Sequence, residues 1–262
     1  MLGWSINLFR VFGIRLAVHF SFLLLLAYVV WDGWMQDRWL GAAWSFAAIL
    51  LLFTCIVLHE LGHSLTARRY GIGVPRILLL PIGGMAEFDS IPRQPRRELL
   101  ITLAGPAVNF SIALLLLPFV PIPKIWGDAA IELNLHGLGQ ILLWMNLVMG
   151  CFNLLPVFPM DGGRILRALL ATRWPYVKAT LWAAALGKVL AVVGAGLMAF
   201  VWHNPLGAIL FAFIFIAGDL EYRMVKRRED ENAQWEMLIR RLYGTPDSDA
   251  RDVPVNILHG PN

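Results

Sequence analysis

Six mostly apolar stretches, at about 16–34, 40–63, 99–120, 136–157, 178–202 and 205–221, dominate this 262-residue chain. A helix crossing the hydrocarbon core of a membrane needs ~20 such residues, or fewer where aromatic or charged side chains anchor its ends. A soluble globule of this length has too little interior for 58% hydrophobic residues against 15% charged ones. The same balance disfavours a disordered chain and a nucleic-acid module. Two cysteines, Cys55 and Cys151, both inside apolar runs, make no disulfide framework. The expected fold is therefore an all-α membrane protein of six transmembrane helices. A short membrane-associated β segment is expected between helices 2 and 3, where residues 77–80 (Ile-Leu-Leu-Leu) read as a strand. The first run, starting at Leu16, has no small-residue cleavage site behind it and reads as a retained span. Trp31, Trp34, Trp39, Trp126 and Trp202 fall near span ends, as interfacial aromatics do. Lys188 interrupts the fifth run and either faces the bundle or snorkels.

Basic residues set the orientation. Arg10 and Arg15 precede the first span, and Arg68, Arg69, Arg76, Arg93, Arg96 and Arg97 separate the second and third. Arg164, Arg167, Arg173 and Lys178 lie between the fourth and fifth, and seven more follow the sixth. Nineteen of the 22 Lys and Arg thus share one side, and only Arg38 and Lys124 fall on the other. The positive-inside rule then places both termini in the cytoplasm, in what is expected to be a plasma membrane. Residues 1–224 read as one six-span domain. Residues 225–262 read as a cytoplasmic tail, in which Trp235, Leu238, Ile239 and Leu242 recur at helical spacing.

The second span ends in His59-Glu60-Leu61-Gly62-His63. Residues four apart on a helix differ by ~40° around its axis, so both imidazoles can meet one metal ion. Glu60 stands beside them, where a carboxylate can take a proton from water, as in the H-E-x-x-H zinc metalloproteases. A catalytic zinc usually takes a third protein ligand. Asp161 is the only acid between Glu132 and Asp219 and follows the fourth span in a stretch with two prolines and two glycines. Spans two and four run in the same direction, which brings Asp161 and the histidines to the same face. Cys55, one turn before His59, is an alternative donor and otherwise a packed thiol. A metal-binding transporter or channel is the rival reading, but it would trace polar residues across the bilayer rather than gather them near one face.

Residues 59–63 and the Asn153-x-x-Pro-x-x-Pro-x-Asp161-Gly-Gly motif together resemble the site-2 protease family of intramembrane zinc metalloproteases. The resemblance extends over roughly residues 12–224, through Pro81-Ile82-Gly83-Gly84 and through Ala104-Gly105-Pro106 with Asn109. It implies one zinc per chain held by His59, His63 and Asp161, with Glu60 as general acid/base and Asn153 helping to hold the scissile carbonyl. It implies single-pass membrane proteins as substrates, cut within or near their transmembrane segments. Neither the inserted PDZ domain nor the C-terminal CBS pair of many members is expected from these residues, and self-association is left open. A helical substrate must unwind before it is cut. Pro81, Gly83 and Gly84 suggest how: an edge strand open to another backbone, onto which the substrate adds. Gly105, Pro106 and Asn109 read as packing features, and His19 has no evident role.

Overall fold

The computed structural model describes residues 4–81, 83–90, 93–120 and 135–243. Ile82, Lys124, Trp126 and the tail beyond residue 243 lie outside the described residues. The elements run β1 (Ser5–Val11), β2 (Ile14–His19), α1 (Phe20–Arg69), β3 (Arg76–Leu80), β4 (Gly83–Glu87), α2 (Pro95–Leu116), α3 (Leu135–Asn153), α4 (Asp161–Leu170), α5 (Tyr176–Gly196), a π-helical turn (Leu197–Val201) and α6 (Pro205–Tyr243). The protein is mostly helical, with one small sheet.

That sheet corrects the expected start of the first span. Leu16–His19 belongs to β2, and the helix begins only at Phe20. The β segment is also larger than the one strand expected at residues 77–80: four strands in the order β1-β2-β3-β4. Phe12 and Gly13, both at positive φ (50° and 81°), turn β1 into antiparallel β2. Arg68 Nη1 donates to the Phe12 carbonyl and ties this turn to the end of α1. β2 pairs in parallel with β3, Leu16 opposite Ile77 and Val18 opposite Leu79. β4 completes an antiparallel pair with β3 and forms an edge. Arg76 and Glu87 face each other across that pair in a bidentate ion pair at 2.7 Å, whose hydrogen bonds hold the Glu87 carboxyl below its ordinary pKa.

Parallel pairing requires α1 to leave the sheet and return to it. The helix does so by breaking once, at Asp37 and at Arg38, which takes a left-handed φ of 41°. The limbs, residues 20–36 and 39–69, touch at backbone distance beyond the break: a Cβ on Gly41 would lie 2.1 Å from the Gly33 carbonyl oxygen. The first two expected spans are thus limbs of one element. His19 gains a role here, its Nδ1 accepting from the Ser21 N–H at 3.2 Å as the cap of α1.

Among the described residues, four helices are long and apolar enough to cross a membrane: Phe20–Arg69, Pro95–Leu116, Tyr176–Val201 and Pro205–Leu242. A shorter apolar helix covers Gly137–Asn153. Leu114 and Leu115 on α2, Val192 and Val193 on α5, and Leu206 and Ile209 on α6 are exposed. So much bare hydrocarbon is satisfied by lipid, and the protein is an integral membrane protein.

The chain divides into two compact units, Met1–Leu155 with Met160–Ile165, and Pro156–Pro159 with Leu166–Asn262. The first has a core in which Ile14, Leu16, Val18, Ile77 and Leu79 of the sheet pack with Ile49, Phe53 and Leu61 of α1 and Ile101 of α2. In the second, Phe158, Ala183 and Ala184 pack with Leu166 and Tyr222. Arg167 is buried there, paired with Glu221 at 2.5 Å and lying over the rings of Phe158 and Tyr176. Lys188 faces this bundle: with Arg223 it pairs to Asp219, so the lysine does not stand alone within its apolar helix. α6 continues unbroken through residue 225 to Tyr243.

Candidate functional site

The last turns of the second α1 limb bring the His59 and His63 rings edge to face at 4.7 Å. Across from them Asp161 is the first residue of α4, where the free N–H groups of a helix start favour a carboxylate. Gly162 lets the chain fold back there, since a Cβ would fall 2.1 Å from the Leu155 carbonyl oxygen. The Asp161 Oδ2 lies 3.2 Å from His59 Nε2 and 3.1 Å from His63 Nε2, and the two Nε2 atoms are 3.1 Å apart. All three residues are buried.

The hydrogen bonds behind the imidazoles determine what these atoms carry. The Leu142 carbonyl can only accept, so Asn146 Nδ2 donates to it at 2.8 Å, and also approaches Cys55 Sγ at 3.2 Å. Asn146 Oδ1 therefore accepts from Asn109 Nδ2 at 3.0 Å, and Asn109 Oδ1 accepts from His59 Nδ1 at 2.6 Å. His63 Nδ1 donates to the Ile101 carbonyl at 2.8 Å. With both protons committed to Nδ1, each neutral ring turns a bare lone pair toward the other and toward a carboxylate oxygen. Three lone pairs cannot satisfy one another, but a cation among them can. Their spacing is close to the ~3.3 Å edge of a tetrahedron with zinc–nitrogen bonds of ~2.0–2.1 Å. The donor set therefore fits zinc.

α2 makes this closeness possible. A Cβ on Gly105 would sit 2.2 Å from His63 Nε2 and 2.8 Å from His59 Cε1. Gly105 is a packing residue, as expected, but what packs on it is the site. Asn109 likewise reaches His59 directly. The sequence reading missed Asn146 altogether. Its signal was an amide within an apolar helix, where a buried polar group needs a partner. Asn109→Ala removes the acceptor that orients His59, and zinc affinity is expected to fall ~10–100-fold. A metal-competition titration checks this, with unchanged affinity as the refuting result.

Glu60 offers a carboxylate oxygen within 4.8 Å of the ligating atoms of His59 and His63. β4 covers it: a Cβ on Gly84 would meet its Cγ at 2.7 Å. Pro81 and Gly83 line an adjoining cavity. Cys55 is buried and held by Asn146 rather than turned to the imidazole pair. Asn153 ends α3 with its Nδ2 donating to the Met149 carbonyl at 3.0 Å. Its hydrogen bond runs along its own helix rather than to the histidines.

The family model described as peptidase family M50 matches residues 47–123 and 118–194. The chain is 38% identical over 249 residues to the zinc metalloprotease MJ0392 of Methanocaldococcus jannaschii, covering 94% of this chain and 70% of that protein. It is 30% identical over 230 residues to the putative zinc metalloprotease Rip3 of Mycobacterium tuberculosis, covering 80% of this chain and 56% of that one. Among solved structures it is similar to the site-2 protease from M. jannaschii, with a TM-score of 0.57 and 38% identity over 84% of this chain and 95% of that one.

Proposed function

Because the chain belongs to peptidase family M50, the site-2 proteases, we propose that it uses zinc to cut single-pass membrane proteins within or near their transmembrane segments. The observation that carries this reading is the convergence of His59, His63 and Asp161 beside Glu60, at the sheet end of an apolar helix. In this reading those three side chains hold the ion. Zinc in such a site supplies a Lewis acid that makes water acidic and polarises a carbonyl.

The chain's own residues do the rest. Glu60 takes the proton of the attacking water and delivers it to the departing amine, a transfer for which the carboxylate stands beside the ligands. Asn109 and the Ile101 carbonyl hold the imidazoles in the one tautomer that can ligate. The Asn153 amide turns from Met149 to the scissile carbonyl oxygen and stabilises its developing charge. The limbs of α1, then α2, α3, α5 and α6, make six crossings, with both termini and the site toward the cytoplasm of a plasma membrane. The lopsided basic residues support that orientation.

The substrate adds as an extended strand to the free edge of β4, which runs past Glu60. Gly84→Val is expected to lower cleavage more than tenfold with zinc content intact. Normal turnover by that variant would exclude β4 as the docking strand. The protease reading itself is tested by stripping the purified protein with a chelator and assaying cleavage of single-span peptides in lipid vesicles. Activity should vanish with the metal and return with stoichiometric zinc. Cleavage that survives metal removal would overturn it.

A further inference from the structure

A cavity of about 470 Å³ opens between the limbs of α1, walled by Leu25 and Val29 on one limb, Ile49, Phe53 and Ile56 on the other, and Gly83 of β4. Away from β4 it ends where Gly33 and Gly41 bring the limbs to backbone contact. Its volume lies within the ~300–1,000 Å³ of pockets that hold organic groups.

Its place is informative. Ile56 lies one helical turn, ~6 Å, before Glu60 on the same face. A Cβ on Gly84 would touch both, at 3.0 Å from Ile56 Cγ2 and 2.7 Å from Glu60 Cγ. The same stretch of β4 therefore borders the cavity and the proposed general base. At Gly83 the place of a Cβ is empty, so the strand leaves the cavity mouth clear.

We propose that this cavity is a specificity pocket for one large apolar side chain of the substrate, next to the bond that is cut. The proposal rests on the protease reading. A peptide laid along β4 sends alternate side chains to opposite faces, and one facing α1 beside Glu60 enters the cavity. Hydrocarbon walls on both limbs bind Leu, Met or Phe and give a charged side chain no partner. The pocket thus selects where along an unwound apolar segment cleavage falls.

The test is cleavage-site mapping by mass spectrometry. Wild type, Ala48→Phe and Leu52→Ala, altered at two further wall positions, are reconstituted in phosphatidylcholine–phosphatidylglycerol vesicles with single-span peptides randomised at successive positions. The wild type is expected to favour large apolar residues over Ala by ~10-fold or more at one fixed position relative to the cut. Ala48→Phe should shift that position alone toward Ala and Gly, and Leu52→Ala should admit Trp there, with zinc content unchanged in both. Wild-type cleavage without such a preference, or a preference unmoved by either variant, as for a cavity that holds only lipid chains, overturns the pocket and leaves the protease reading standing. A uniform loss at all positions in both variants also overturns it. No cleavage by zinc-loaded wild type would overturn both.

Discussion

Glu60→Gln is expected to keep its full complement of zinc and to lose cleavage by ~10³-fold or more. General acid–base groups typically contribute ~10²–10⁴-fold, and in the proposed mechanism one carboxylate serves both proton transfers. The substituted amide has nearly the same shape, so the packing against Gly84 is preserved while the ability to accept a proton is lost. Zinc analysis and peptide cleavage on the same preparation check this. Equal cleavage by both proteins would remove Glu60 from the mechanism. Loss of zinc in the variant would instead make Glu60 a ligand, which its position within 4.8 Å of the ligating nitrogens leaves sterically feasible.

The second large effect is expected from a single methyl group. Gly105→Ala places a carbon 2.2 Å from His63 Nε2, well inside contact distance. The ring cannot swing aside, because its Nδ1 is held by the Ile101 carbonyl on the same helix that carries the new methyl. Either the donor triangle opens or α2 moves away from α1. Zinc content is expected to drop below a tenth of the wild-type value and activity with it, while the protein still folds and inserts. Metal analysis and circular dichroism separate these outcomes. A variant with normal zinc content would show that the helices part without disturbing the ligands.

Gly105 also shows where sequence reading stopped. His59 and His63 were legible because four residues on a helix fix their relation whatever else the chain does. Asp161 was legible because it is the lone acid in a long apolar stretch. The chain from His59 through Asn109 and Asn146 to Cys55 was not, since it joins three helices whose rotation about their own axes no local pattern specifies. The N-terminal hairpin was missed for a similar reason. Residues 14–19 are apolar enough to begin a span, and what makes them a strand is β3, some sixty residues away. Phe12, in the left-handed turn position that Asn or Asp usually takes, gave no hint of the hairpin. The length of α6 went unseen because the change from apolar to charged composition after Asp219 was read as the end of a span with a separate tail beyond it, whereas one helix runs through both. Gly244 and Pro246 are the first breakers after Pro205, Gly207 and Gly218.

The parallel pairing of β2 with β3 has a consequence for how the protein is made. Arg15 and Arg76 are neighbours in the sheet but 61 positions apart in the chain. β2 therefore has no β3 to pair with until both limbs of α1 and then β3 itself have been made. β3 follows His63 by little more than a dozen residues, and β4, which covers Glu60, comes directly after it. The strands that complete the sheet are thus the ones that roof the Glu60 carboxylate. Assembly of the sheet around the finished hairpin of α1 is then also the moment at which the site acquires its cover.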